Sequence, residues 1–418
     1  MTATATRIVV VGGGPVGLAF AALLVGPARA CGATITLVDA RRAPAFDPAD
    51  PVDLRVYALS RASQQILAAA GAWQQISERR ASPYQGMRVW EGNAGPQGPG
   101  TLCFDAADVG EPNLGHIVED GLIRASLFER IADTVDYLPE ERVANLVLER
   151  DGVRLILESG TAVTGDLLVG ADGTGSQIRQ RAGIGVSGWS YRQRALVTHV
   201  ETSEPHRQLA YQRFLPDGPV ALLPLVDGRC SVVWSASEAR ADELSAMSDQ
   251  TFGAALTEAT CAALGDVEGS GERVSFPLHL LHAQRYVASR LALIGDAAHT
   301  VHPLAGQGAN LGLLDAAALA EAVSAGLLAG EDPGDRYLLR RYERWRKGEN
   351  LKVMLVLDAL HRLFRLPRPG FQPALRLGMA AVNHARPAKH LLVRAALGLS
   401  GDLPEAARRR FPTQRVHG

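Results

Sequence analysis

Residues 7–25 read RIVVVGGGPVGLAFAALLV, an apolar run followed by glycines and then by a helical pattern. The run Ile8–Val11 is typical of a buried strand. Gly12, Gly14 and Gly17 fit the pattern G-x-G-x-x-G: the first glycine permits a tight turn, the second lets the backbone approach a pyrophosphate, and the third lets the helix pack on the strand. The stretch therefore predicts a Rossmann-like α/β domain whose first helix offers its N-terminal N–H groups to phosphate.

A second strand pattern, ATITLVDA at 33–40, ends in Asp39. An acidic residue about 20 positions past the glycines is placed to accept hydrogen bonds from a ribose, and Asp39 lies about 25 positions past Gly14. The two features together predict a site for an adenosine diphosphate group. They do not distinguish NAD from FAD, and a purely structural glycine turn is the alternative.

Two later stretches also join an apolar strand to a polar turn. In DLLVGADGTGSQIR at 166–179, Asp172 could cap the following turn, since short acceptors satisfy free N–H groups. In LALIGDAAHTVHPLAGQGANLGLLDAA at 291–317, Gly295 and Asp296 stand at the carboxyl end of a strand, where open α/β sheets bind ligands. Pro303 fixes the chain, glycines leave room for a flat group, and a helix follows. A flavin would suit this loop, because its ribityl hydroxyls need a carboxylate and its ring can be stabilised by a helix dipole.

These stretches resemble the three motifs of single-component FAD-dependent aromatic hydroxylases, the class A flavoprotein monooxygenases. The phrase HPLAGQGANLGLLDAAALAE at 302–321 is similar to the ubiquinone-biosynthesis hydroxylase branch. The same likeness extends to DLRVYALSRASQQILAAAG at 53–71, LGHIVEDGLIRASLFERI at 114–131 and VALLPLVDGRCSVVWS at 220–235. Relatives often have an arginine where Leu314 stands and a bulkier apolar residue where Ala309 stands, so these positions leave the finer branch open.

The resemblance implies an α/β fold: an FAD-binding Rossmann-like, p-hydroxybenzoate-hydroxylase-like domain with an inserted antiparallel β-sheet substrate domain and C-terminal helices. The expected domains are an FAD-binding domain at 1–185 that includes a substrate-domain segment at about 75–115, a mainly β-sheet substrate domain at 186–280, the completion of the FAD-binding domain at 281–350, and a helical region at 351–418. Short apolar runs separated by Asp-Gly and Pro turns in the middle of the chain independently indicate the sheet.

The resemblance also assigns site residues. It gives the adenosine ribose to Asp39 and the ribityl chain to Asp296, and it places Arg55 and Arg124 along the cofactor, although surface arginines are the alternative. The expected cofactor-binding residues are Gly12, Gly14, Gly17, Asp39, Arg55, Arg124, Asp172, Gly295, Asp296, Pro303, Gly306, Gly308, Ala309 and Asn310. An apolar substrate wall is expected from Phe214, Leu223, Trp234 and Phe276, with ordinary sheet core as the alternative.

The implied reaction is hydroxylation of the aromatic ring of a polyprenylated phenol in ubiquinone biosynthesis, through O₂ captured as a flavin hydroperoxide. Electrons would come from NAD(P)H or a separate reductase. His302 could assist proton movement from the phenol, with a packing histidine as the alternative. Two other functions remain open: a soluble aromatic or secondary-metabolite hydroxylase on the same fold, and a non-catalytic assembly member that retains FAD.

Composition restricts the partners. The 418 residues carry a net charge of −1, but from Leu351 onward there are 12 basic and 3 acidic residues, a local +9 against −10 for the rest. An amphipathic helix at 351–363 followed by this basic segment could face an anionic membrane, a biosynthetic complex or only water. The four cysteines lack metal-type spacing, so no metal site is expected, and no nucleic acid partner is indicated. The expected location is cytoplasmic, with peripheral contact at the inner membrane as an option.

Overall fold

The computed structural model describes residues 5–92, 95–302, 306–364 and 371–408, and the strands in these ranges form four sheets. The strands are β1 (Arg7–Val11), β2 (Thr34–Asp39), β3 (Val56–Leu59), β4 (Ser82–Tyr84), β5 (Gly86–Glu91), β6 (Leu102–Asp105), β7 (Gly115–Glu119), β8 (Asp136–Pro139), β9 (Val143–Leu148), β10 (Val153–Leu157), β11 (Ala162–Gly165), β12 (Leu167–Gly170), β13 (Val186–Thr202), β14 (Leu209–Leu215), β15 (Gly218–Pro224), β16 (Cys230–Ser237), β17 (Val267–Ser270), β18 (Val274–Ala283), β19 (Val287–Ala288), β20 (Leu291–Leu293) and β21 (His299–Thr300). The helices are α1 (Pro15–Ala30), α2 (Arg61–Ala69), α3 (Trp73–Arg79), α4 (Asp120–Ile131), α5 (Gln177–Arg181), α6 (Glu238–Ala246), α7 (Asp249–Ala259), α8 (Gln307–Leu328), α9 (Arg336–Phe364), α10 (Phe371–His384) and α11 (Arg386–Ala396). Short 3₁₀ turns lie at Ala106–Val109, Gly295–Ala297 and Glu405–Ala407.

The nucleotide-binding sheet has the order β19-β20-β12-β1-β2-β8 and is parallel except for the β19–β20 pair. Its central strand is fully buried from Ile8 to Val10, which explains the continuous apolar run in the sequence, because helices cover parallel sheets on both faces. β1, β2, β12 and β20 therefore present their carboxyl ends at one edge of the sheet, where ligands bind in such folds.

The large sheet has the order β21-β18-β13-β16-β15-β14-β5-β6, with β17 beside β13. Its pairs are antiparallel except for β5–β14, which is parallel. One face packs against α6 and α7 in a core that includes Trp234, Phe252 and Leu256, and the other face lines a cavity. Because β5 and β6 come from the 75–115 segment, we propose the same domain division that the sequence suggests.

Helices α8 and α9 connect the two sheets to the C-terminal region. α8 is long and apolar enough to cross a membrane by length and composition, but 72% of its apolar window is buried inside the protein, as in a core helix. α9 runs without a break from Arg336 to Phe364, so it passes through the boundary expected at 350. The helix therefore belongs both to the nucleotide-binding unit and to the C-terminal region.

Three histidines should make stability depend on pH. Burial lowers the pKa of His116, His199 and His282 to about 4, below the ordinary value of about 6.5. The unfolded chain binds more protons between these two values, so stability should be full above pH 6.5 and should fall as the pH drops toward 4. For the buried His199 we expect a contribution of about 2–3 kcal/mol. Urea unfolding of wild type and His199→Leu across this range measures it, and a stability difference that does not change with pH would contradict the assignment.

Candidate functional site

The glycines at the junction of β1 and α1 have two different surroundings: Gly12 and Gly17 are closely packed, whereas Gly14 faces open space. Gly12 has φ +117°, and a Cβ there would lie 2.3 Å from the Ala171 carbonyl oxygen. A Cβ on Gly17 would lie 2.0 Å from the Gly12 carbonyl oxygen. Gly14 instead faces open space, and it begins α1 without a side-chain cap or an acidic residue in the first turn. The first N–H groups of α1 are therefore available to an anion of the size of a diphosphate.

Asp39 and Arg124 lie beside this turn. Asp39 ends β2 and is 8% exposed. Arg124 on α4 donates from Nε to the Gly13 carbonyl oxygen at 2.8 Å and from Nη2 to Asp39 Oδ2 at 3.3 Å. The arginine thereby fixes the acid relative to the glycine turn. The arrangement brings together five residues that the sequence predicts, namely Gly12, Gly14, Gly17, Asp39 and Arg124.

Both carboxylate oxygens of Asp172 accept hydrogen bonds from neighbouring residues of the chain. Its Oδ1 accepts a hydrogen bond from Ser176 Oγ at 2.5 Å, and its Oδ2 accepts one from the Ile178 N–H at 3.1 Å. These contacts support the capping alternative. The segment 166–179 also contacts the segment 291–317, because buried Arg179 donates a hydrogen bond from Nη1 to the Ala297 carbonyl oxygen at 2.8 Å.

Asp296 lies in the 3₁₀ turn that follows β20 and faces a cavity of about 1390 Å³. Burial raises the pKa of this carboxyl group, whereas His299 and Arg55 oppose the rise. Gly295 has φ +60°, and a Cβ there would lie 3.1 Å from Val16 on α1. The turn therefore brings a half-buried acid, which can accept hydrogen bonds, to the wall of a large cavity close to the glycine turn.

The start of α8 lines the same cavity with Gly306, Gly308, Ala309 and Asn310. The Asn310 side chain, however, is occupied: Oδ1 accepts hydrogen bonds from the Ser60 N–H and Ser63 Oγ, and Nδ2 donates to the Ala58 and Gly306 carbonyl oxygens. Asn310 therefore holds the N-terminus of α8 against β3 and α2. Its side chain positions the site, and the backbone of this turn is what a cofactor would meet.

Arg55 also lines the cavity, at the entrance to β3. Its guanidinium lies 5.4 Å from the Tyr57 ring centroid, and its Nε is 3.9 Å from Asp120 Oδ1. The side chain is 62% exposed, and Tyr57 donates from its hydroxyl to the same Asp120 oxygen at 2.8 Å. Arg55 is thus a largely exposed cation at the cavity wall, in contact with Tyr57 and Asp120.

A buried network that the sequence reasoning missed lies beneath the Asp296 turn. Asp315 on α8 is fully buried, and its Oδ2 accepts hydrogen bonds from the Gly295 N–H at 3.2 Å and from His299 Nε2 at 2.5 Å. Its Oδ1 accepts from Arg346 Nε at 3.0 Å and Asn350 Nδ2 at 2.9 Å, both on α9. Burial alone would raise the pKa of Asp315, but His299, Arg346 and Asn350 hold it below its ordinary value. An acid within the apolar run of α8 was the only signal in the sequence.

The cavity wall comes mainly from alternate residues of the large sheet. Phe214, Leu223 and Phe276 lie on this face, as expected. Trp234 does not: its neighbours Val233 and Ser235 face the cavity, whereas Trp234 packs on the other face, 6.3 Å from the Phe252 ring. The expectation for Trp234 was wrong because successive side chains of a strand point to opposite faces. Polar wall residues that the sequence reasoning missed are Gln212, Ser231 and Ser235.

His302 lies apart from the described lining of the cavity. It is 1% exposed, and its ring packs 5.0 Å from the Tyr191 ring and 4.5 Å from the His361 ring. This surrounding favours the packing alternative over a catalytic one. Pro303, also expected at the site, lies outside the described residues.

FAD fits the donors and acceptors present. Asp39 can accept hydrogen bonds from the adenosine ribose, the uncapped start of α1 can bind the diphosphate, and Asp296 can accept from ribityl hydroxyls. The start of α8 places a positive dipole end at the cavity, where a flavin ring carrying negative charge would be stabilised. The Asp296 carboxyl group, whose pKa is raised by burial, lies at the cavity wall, and its position there is the observation that most favours a hydroxyl-rich ligand.

Comparisons with known proteins agree with this geometry. The sequence matches the model of the family described as "FAD binding domain" over residues 5–355. It is 37% identical over 403 residues to ubiquinone hydroxylase UbiL of Rhodospirillum rubrum, covering 96% of this chain and 91% of that protein. It is 34% identical over 401 residues to 3-demethoxyubiquinol 3-hydroxylase of Escherichia coli, covering 96% and 100%. The fold is similar to p-nitrophenol 4-monooxygenase PnpA from Pseudomonas putida, with a TM-score of 0.75 at 18% identity, covering 94% and 98%.

Proposed function

Because this chain belongs to the FAD-dependent monooxygenases, in the branch of the ubiquinone-biosynthesis hydroxylases, we propose that it hydroxylates the aromatic ring of a polyprenylated phenol. The observation that carries the choice of substrate is the cavity of about 1390 Å³ and its apolar wall. None of the described lining residues on the large sheet is arginine or lysine, the groups that would bind a small aromatic carboxylate. The wall therefore supports a long apolar substrate.

The chain's contribution to the reaction is binding, orientation and exclusion of water. FAD, when bound, supplies the activation of O₂, of which one atom enters the ring and the other leaves as water. We propose that Asp39, Arg124 and the start of α1 hold the adenosine diphosphate end, and that Asp296 and the start of α8 hold the flavin end. The apolar wall opposite them keeps water away and positions the phenol against the flavin.

The electron source and the location follow from the same proposal. We propose NAD(P)H, or a separate reductase, as the electron donor, since the chain carries a single dinucleotide fingerprint at its front. We also propose a cytoplasmic enzyme that works peripherally at the inner membrane, because its substrate would carry an isoprenoid tail. The basic region beyond Leu351 would make this contact, either with the membrane or with a biosynthetic complex.

The test begins with the colour of the purified protein and the identity of the cofactor released on denaturation. The holoenzyme is then given a prenylated phenol, NAD(P)H with or without a reductase, and ¹⁸O₂. We expect FAD and a product that carries one labelled oxygen on its ring. Turnover only with small phenols that carry a carboxylate would favour a soluble aromatic hydroxylase. A protein that neither retains nor rebinds FAD would leave the assembly member as the better explanation.

A further inference from the structure

One of the places where the cavity reaches the protein surface lies between two C-terminal helices. Val356 and Leu360 on α9 and Leu392 on α11 all line the cavity, yet they are 57%, 39% and 46% exposed. A side chain that borders an internal cavity and also contacts solvent lies at a mouth. Val393 on α11 and Leu397, the residue that follows this helix, line the cavity but are 4% and 2% exposed, so the apolar wall continues inward. We call the mouth formed by Val356, Leu360 and Leu392 the portal.

Exposed leucines lie beside the portal on the same group of helices. Leu355 on α9, Leu377 on α10 and Leu391 on α11 are 58%, 73% and 70% exposed. Between residues 351 and 392 the described part of the chain holds seven of its fourteen exposed large apolar side chains. Single exposed leucines need no explanation, but a concentration of them around a cavity mouth marks a surface that contacts something apolar.

The charge of this region is complementary to an anionic surface. In the sequence, the segment from Leu351 onward carries a local charge of +9, to which residues outside the described ranges also contribute, whereas the rest of the chain carries −10. Arg394 is exposed on α11, one turn beyond Leu391, and Lys352 on α9 is 72% exposed although it pairs with Glu349 at 2.7 Å. Apolar side chains that enter the acyl region, together with cations that meet lipid phosphates, are the two components by which a peripheral protein binds an anionic membrane.

We propose that the portal rests on an anionic lipid bilayer and that the substrate passes directly from the bilayer into the cavity, with its isoprenoid tail lying between α9 and α11. The proposal relies on the proposed function for the nature of the tail. The portal favours lipid over a protein partner because its rim is apolar and continuous with the cavity. A protein that covered it would close the route that a membrane-resident substrate needs.

The experiment compares flotation of the holoenzyme with phosphatidylcholine vesicles that contain or lack phosphatidylglycerol. Leu377→Glu/Leu391→Glu removes two of the exposed leucines beside the portal, neither of which lines the cavity. Leu328→Glu is the matched control, since Leu328 is 69% exposed at the end of α8. We expect wild type and Leu328→Glu to float with the anionic vesicles. The affinity of the double variant for these vesicles should be lower by at least about 10-fold, since burial of two leucine side chains is lost. Equal flotation of all three proteins, or no flotation of wild type with either vesicle, would overturn the proposal.

Turnover separates this proposal from the proposed function. The double variant should lose about 10-fold or more in kcat/KM for a long-tailed phenol presented in vesicles, and should match wild type with a short-tailed phenol in solution. Leu360→Trp, which narrows the portal, should slow the long-tailed substrate more than the short-tailed one. Equal slowing of both substrates by Leu360→Trp would contradict the tail route. If FAD-loaded wild type floats but hydroxylates neither phenol, the membrane contact stands and the proposed function fails.

Discussion

Asp315→Ala should lower the free energy of unfolding by about 3–5 kcal/mol, the cost of breaking a buried ion pair by removing one partner. The carboxylate is fully buried and accepts hydrogen bonds from the Gly295 amide, His299, Arg346 and Asn350. Without it, the Arg346 guanidinium, itself 3% exposed, would be buried without its carboxylate partner. Urea unfolding of the apoprotein, followed by circular dichroism, measures the loss.

Two variants control this prediction. Asp133→Ala removes an exposed acid from the loop after α4 and should change stability by less than about 0.5 kcal/mol. Asp315→Asn keeps two hydrogen-bonding atoms and the side-chain volume, so it should recover part of the loss. A decrease below about 1 kcal/mol in Asp315→Ala would mean that α8 and α9 are held together without this network. Because the Gly295 amide is one of the four donors, the alanine variant should also retain less FAD.

Asp296→Ala should instead weaken FAD binding by about 10- to 100-fold, because hydrogen bonds to a charged group contribute about 1.5–3 kcal/mol each. Burial raises the pKa of this carboxyl group, so its charged form is disfavoured in the folded protein, although His299, Arg55 and a hydrogen bond with Thr174 oppose the rise. The stability of the apoprotein should therefore be unchanged or slightly higher in the variant. Titration of the apoprotein with FAD, followed by flavin fluorescence, measures the affinity.

The pair of acids forms an internal control for these two predictions. Asp315 should matter chiefly for the stability of the apoprotein, and Asp296 chiefly for the affinity for FAD. Asp296→Asn should lie between wild type and Asp296→Ala, since an amide oxygen still accepts a hydrogen bond from a ribityl hydroxyl. Normal FAD content in Asp296→Ala would remove this residue from the cofactor site.

The family and the fold could be predicted from the sequence because their signals are local. Gly12, Gly14 and Gly17 are required within a single turn, and the apolar run before them reports burial on both faces of a parallel strand. Comparison with known proteins confirms the family, and the fold neighbours confirm the architecture. The positions of Asp39 and Asp296 could be predicted for the same reason, since Asp39 is the last residue of β2 and Asp296 lies in the turn after β20.

The remaining features depend on contacts between distant parts of the chain. Asp315 accepts hydrogen bonds from Arg346 and Asn350, which lie 31 and 35 residues away in the sequence. No periodic pattern in the sequence predicts these contacts. Asn310 was expected to face the cofactor, but its side chain is taken up by residues about 250 positions away. Trp234 was assigned to the wrong face, because a strand that is apolar on both faces does not reveal its register.

The portal bears on whether the enzyme can discriminate between substrates with isoprenoid tails of different length. A closed pocket selects substrates by tail length, since a tail that is too long cannot be accommodated and a shorter one leaves a void. If the tail of the substrate leaves the cavity through the portal between Val356 and Leu392, the cavity sets no upper limit on its length. Isoprene units beyond the portal would then lie outside the protein and would contribute neither strain nor selectivity. The same protein would therefore serve organisms that build long or short quinones, and the number of units would be set by the enzyme that makes the tail.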